Sequence, residues 1–95
     1  MRAGDAVEAA DRLDLAAVPS ATRRSFHLTE AARAHSLRRE PVATVHLLGR
    51  AYDESPDTAR FNLFARKVLP ELRDRGPATI RREAAGLADK LGVPA

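Results

Sequence analysis

Cysteine is absent from the 95 residues. That excludes a disulfide scaffold, a thiolate metal site and a cysteine nucleophile, and it fits a reducing compartment. Tryptophan is absent as well, and aromatic residues make up only 4% of the chain. The core must then come from leucine, valine and alanine, and the alanine and leucine suit helices better than strands. Long apolar runs are missing: no stretch approaches the roughly 18 residues a membrane span needs. Behind the basic Arg2, Ala3-Gly4-Asp5 offers no apolar run of the kind a secretory leader carries. A cytoplasmic location is expected. No glycine-rich phosphate loop and no nucleophile-elbow pattern around Ser20, Ser25, Ser36 or Ser55 occurs.

What is there is ordinary for a globular chain: 44% hydrophobic and 31% charged residues. The length suits one domain, 1–95, burying roughly 60–65% of its extended-chain surface. The net charge of +3 comes from 16 bases against 13 acids, and the two signs are interspersed, with lysine only at 67 and 90. Such a balance describes a solvated surface better than a nucleic-acid footprint.

Helical spacing predicts five helices and no strand. Val7, Ala10 and Leu13 place the first over about residues 4–14. Ser20 is a fair N-cap for a second over about 20–38, with Leu28, Ala31, Ala32 and His35 inward. Pro41 suits the first position of a third helix, 41–54, whose stripe is Val42, Val45, Leu48, Ala51 and Tyr52. Ser55-Pro56-Asp57 combines a capping hydroxyl, a proline at the first helical position and an acid at the positive end of the dipole. The fourth helix then carries Phe61, Phe64, Ala65, Val68, Leu69 and Leu72, and Pro70 within it is expected to kink or break it, having no N–H for the Arg66 carbonyl. Gly76-Pro77 leads into a fifth helix, about 77–91, with Ile80, Ala84, Leu87, Ala88 and Leu91 inward and Gly92 and Pro94 as stops.

The second and fourth helices match at a fixed offset: Leu28, Ala31, Ala32 and His35 against Phe61, Phe64, Ala65 and Val68, each pair 33 residues apart by subtraction of the numbers. A period in the thirties with two helices per step marks a helical repeat array. Small residues such as Ala32 and Ala65 allow two helices to cross closely.

Residues 28–56 resemble a tetratricopeptide repeat: Leu28, Ala31, Ala32 and His35 at its first-helix positions, Leu48 and Ala51 at its second, Pro56 at its closing proline. More narrowly, Ala32–Arg39, the helix through Ala51 and the ending Leu87–Val93 are similar to the C-terminal repeat region of actinobacterial helix-turn-helix regulators of the xenobiotic-response-element type. The likeness runs from about Ala6 to Val93. It implies antiparallel helical hairpins in a short right-handed array. It also implies a ligand- or protein-binding role in transcription regulation. Glu40-Pro41 replaces the usual glycine-containing turn, Thr44 stands where alanine is usual, and Pro70 is foreign to a repeat helix. The family's DNA-binding half precedes this region, so DNA binding is carried over to no residue here. Residues 72–79 and the helix ending at Val93 also resemble the first half of a winged-helix unit, which needs a recognition helix after Val93.

In a stacked array the first helix of each hairpin lines the concave side. Thr29 and Arg33 match Asn62 and Arg66 by the 33-residue offset, and this strip of two arginines and a carboxamide is the expected binding site for a peptide or a small anionic ligand. The histidines 27, 35 and 46 lack metal-ligand spacing and are read as core or surface residues. No cofactor and no catalytic constellation is expected. Two other readings stand beside the regulator module: a free-standing protein–protein adaptor, and a small basic nucleic-acid-binding protein. A homodimer through a terminal helix is expected, because an array of this length leaves its outer faces uncapped.

Overall fold

The computed structural model describes residues 20–94. The expected helix at 4–14 lies outside the described residues. Within them the chain is all-helical, with no strand: α1 (Ala21–Leu37), α2 (Pro41–Glu54), α3 (Pro56–Arg60), α4 (Leu63–Arg75) and α5 (Ala78–Lys90).

The boundaries follow from capping chemistry. Ser20 Oγ accepts from the Arg23 amide at 3.1 Å and opens α1. Pro41 and Pro56 occupy first-turn positions in α2 and α3, where a missing N–H leaves nothing unsatisfied. Two helices end in the same motif. At the end of α5 the Val93 amide donates to the Ala88 carbonyl and the Gly92 amide to the Asp89 carbonyl, with Gly92 at φ +72°. At the end of α1 the Glu40 amide donates to the His35 carbonyl and the Arg39 amide to the Ser36 carbonyl. There the left-handed position is held by Arg39 at φ +58°, the only such non-glycine residue among those described.

The helices form two antiparallel hairpins. In the first, Ser25 near the start of α1 donates from Oγ to the Ala51 carbonyl near the end of α2 at 2.8 Å, and Arg24 Nε lies 2.8 Å from Glu54. In the second, Arg66 near the start of α4 reaches the Leu91 carbonyl just past α5 at 2.8 Å. The short α3 joins them. Between the hairpins lies one core built largely of alanine and leucine, in which Ala32, Ala51, Leu69 and Ala84 have no exposed surface. Fully buried alanines let the helix axes approach closely, which is how a chain with so few aromatics closes its interior. The buried hydroxyls are all satisfied: Ser25 as above, Thr29 Oγ1 on the Ser25 carbonyl, Thr44 Oγ1 on the Glu40 carbonyl.

Two expectations are corrected. The fourth helix does break, but eight residues before Pro70: it is divided at Phe61-Asn62, and α4 runs on through Pro70 to Arg75. Asn62 Oδ1 accepts from the Ala65 amide at 3.0 Å, so it starts a fresh helix whose phase is reset. Val68 and Leu69, at 8% and 0% exposure, bind α4 into the core just before the proline. The 33-residue equivalence also fails at its first pair. Leu28 is 4% exposed, whereas Phe61, stranded at the break, is 77% exposed. Ala31 and Phe64, and His35 and Val68, also differ in burial, and only Ala32 and Ala65 are alike in being buried.

Candidate functional site

α1 is amphipathic in an unusual sense. Its inner side carries Ser25, Leu28, Ala31 and Ala32. Its outer side, residues 26, 30, 33 and 37 at helical spacing, carries Phe26, Glu30, Arg33 and Leu37, and all four are exposed. Phe26 keeps 51% of its surface in solvent and Leu37 keeps 71%. The Arg33 guanidinium lies over the Phe64 ring, 5.4 Å from its centroid, and joins this stripe to the first turn of α4. Beside Phe64 stands Leu63, 82% exposed, and Phe61 projects from the α3–α4 break. Two of the three phenylalanines in the chain are therefore in water, although the core is short of large side chains. Scattered apolar exposure is normal in proteins. Here four of the five exposed large hydrophobics among the described residues, all but Val42 of α2, lie on the outer side of α1 or where α4 begins, and the Arg33–Phe64 contact links those two places, a composition that suits a contact surface.

The four residues expected to line a binding strip separate into different roles. Thr29 is buried at 1% exposure with its hydroxyl on the Ser25 carbonyl, so it faces the core and not a ligand. Asn62 is the N-cap of α4. Arg66 is half-buried and clamps two helix ends, donating from one guanidinium nitrogen to the Arg60 carbonyl at 3.1 Å and the Leu91 carbonyl at 2.8 Å. Only Arg33 stays on the open face. The strip fails as a unit because the helix break at Phe61-Asn62 destroys the register that would have aligned the second pair with the first. Phe26, Leu37 and Leu63 were not singled out from sequence. Their signal was there for Phe26 and Leu37: apolar residues of α1 lying off the Leu28 stripe.

Other polar groups are paired within the fold. His35 Nδ1 lies 3.0 Å from a Glu40 carboxylate oxygen that Arg38 Nε also approaches, at 3.3 Å. Arg60 pairs with Asp57 and Arg73 with Asp74. The hydrogen bond from Arg73 holds the Asp74 carboxyl below the ordinary carboxylate range, with its charge and that of Arg75 adding to the effect and partial desolvation opposing it. Lys90 Nζ sits 5.6 Å from the centre of the Tyr52 ring, across the seam between α2 and α5. Among the described residues no group of three histidines or acids is placed to hold a metal, and no helix is long and apolar enough to cross a membrane.

Comparison with family models, with curated proteins and with solved structures finds no match to this chain.

Proposed function

We propose that this chain is a protein-binding helical module of a bacterial helix-turn-helix transcriptional regulator, with the outer stripe of α1 and the start of α4 as its contact face. The observation that carries the binding role is the exposure of Phe26 and Leu37 on the outer side of α1 and of Phe61 and Leu63 where α4 begins, with the Arg33–Phe64 contact linking the two elements. Exposed phenylalanine and leucine carried on helices or at a helix cap lose little backbone freedom when a partner covers them, which favours recognition over random stickiness. The regulator context rests on the sequence resemblance at 32–39 and 87–93 and is compatible with the antiparallel hairpins. The mechanism is a change of partner contacts on this face, passed to a DNA-binding part outside the chain. Arg38, Arg60 and Arg73 each sit against a neighbouring acid, so the basic side chains are interspersed with acids and not gathered into one positive patch, which weighs against a nucleic-acid backbone as the partner.

The test is site-specific photocrosslinking in cells, with a benzophenone side chain at position 61 and, as control, at the exposed position 82. The reading expects one defined protein adduct from position 61, lost on Leu63→Ser and absent from position 82. No adduct at 61, or the same adducts at both, contradicts it. Duplex DNA titrated at low and moderate salt serves as the counter-experiment: submicromolar, steeply salt-dependent binding by this chain alone would favour the nucleic-acid reading instead.

A further inference from the structure

The tips of the two hairpins border an open cleft that the partner face does not use. Its volume is about 300 Å³, and it is lined by Pro41 and Thr44 of α2, Leu72 of α4 and Pro77 at the head of α5, with Arg39 and Arg75 at its margin. The lining is predominantly apolar. The volume reaches the lower end of the range for small-molecule pockets, which pair apolar walls with a few fixed polar groups.

The charges at this cleft are unbalanced. Glu40 also borders it, but its Oε1 is shared by His35 and Arg38. Asp74, next to Arg75, is engaged by Arg73. Neither Arg39 nor Arg75 makes a side-chain hydrogen bond or close ion pair with a described residue, although Arg75 acts on Asp74 through its charge. Two arginines beside a largely apolar cleft suit a carboxylate attached to a compact hydrocarbon body. Arg39 adds a separate oddity. It fills the left-handed position of the α1 terminus, where glycine fits without strain and does fit at Gly92.

We propose that the cleft between the hairpin tips binds a small amphipathic carboxylate, an arylalkanoic or medium-chain fatty acid, with its hydrocarbon against Pro41, Leu72 and Pro77 and its carboxylate between Arg39 and Arg75. Because the walls belong to both hairpins, an occupant ties the α1–α2 turn to the α4–α5 turn. The site is independent of the partner face and stands or falls without it.

The experiment is an amide-resolved NMR titration of the chain with phenylacetate and with octanoate, each against its neutral amide. At least one acid is expected to give saturable shifts confined to residues 36–44 and 72–77, with a dissociation constant of about 1 mM or tighter. That acid is expected to bind about tenfold more tightly than its amide, the difference a charge-assisted hydrogen bond supplies. Arg39→Gly removes that preference while relieving the left-handed strain, so loss of binding there is not loss of fold; Arg75→Gln acts in the same direction. Equal binding of acid and amide, shifts centred on Phe61 and Leu63, or no saturable shift with either acid overturns the proposal.

Discussion

At the scale of single residues, the same chemistry was assigned correctly where it was local and wrongly where it depended on distance. Ser20, Ser55 and Pro41 act at helix starts as their sequence context says, because a cap involves only the next three amides. Asn62 and Arg66, expected at a binding strip, both serve the backbone, one as a cap and one as a clamp. An arginine that reaches a carbonyl 25 residues away leaves no local trace. Arg66→Gln is expected to lower unfolding free energy by about 1–3 kcal/mol, the worth of charged hydrogen bonds to two helix-end carbonyls, read from urea denaturation. Arg39→Gly is expected to do the opposite. Relief of the left-handed conformation outweighs the added freedom of glycine in the unfolded chain, for a net gain of about 0.5–1 kcal/mol in the same measurement. The replacement of glycine at this turn was legible from Glu40-Pro41; that Arg39 absorbs the strain was not.

At the scale of elements, helix existence and type were legible throughout the described residues, and the register of the fourth helix was not. Periodicity continues smoothly from Phe61 through Leu72, so the break at Phe61-Asn62 is concealed by side chains that would suit an unbroken helix. Pro70, the obvious breaker, is carried inside α4. The glycines of α2, α4 and α5 differ sharply in what they do. A Cβ added at Gly49 or Gly86, both within helices, meets no atom within 4 Å. Gly49→Ala and Gly86→Ala should each raise stability by about 0.5–1 kcal/mol through helix propensity, seen as a higher midpoint in thermal denaturation. Gly76, buried at the end of α4, is different: a Cβ there would press on the Leu72 carbonyl and sit 2.9 Å from Ile80 Cδ1. Gly76→Ala is expected to cost about 1–3 kcal/mol as an overpacked site, because a backbone carbonyl cannot move aside.

At the scale of the whole molecule, two antiparallel hairpins share one alanine-rich core, and among the described residues Phe26, Leu37, Val42, Phe61 and Leu63 stay exposed. The all-helical class followed from composition and spacing. The candidate face did not, because it depends on which side of α1 turns inward and on where α4 restarts, and both are set by packing between elements distant in sequence. The 33-residue offset pairs two buried alanines, Ala32 and Ala65, and sets buried Leu28 against exposed Phe61. The second pair decides whether Phe61 belongs to the interior or to the contact face. Urea denaturation of Leu28→Ala beside Phe61→Ala measures this directly. The account predicts a loss of about 2–5 kcal/mol for Leu28→Ala, as for other buried leucines. For Phe61→Ala it predicts a change within about 0.5 kcal/mol, as for an exposed site. Comparable losses at both positions would place Phe61 in the core and contradict the contact face built on it.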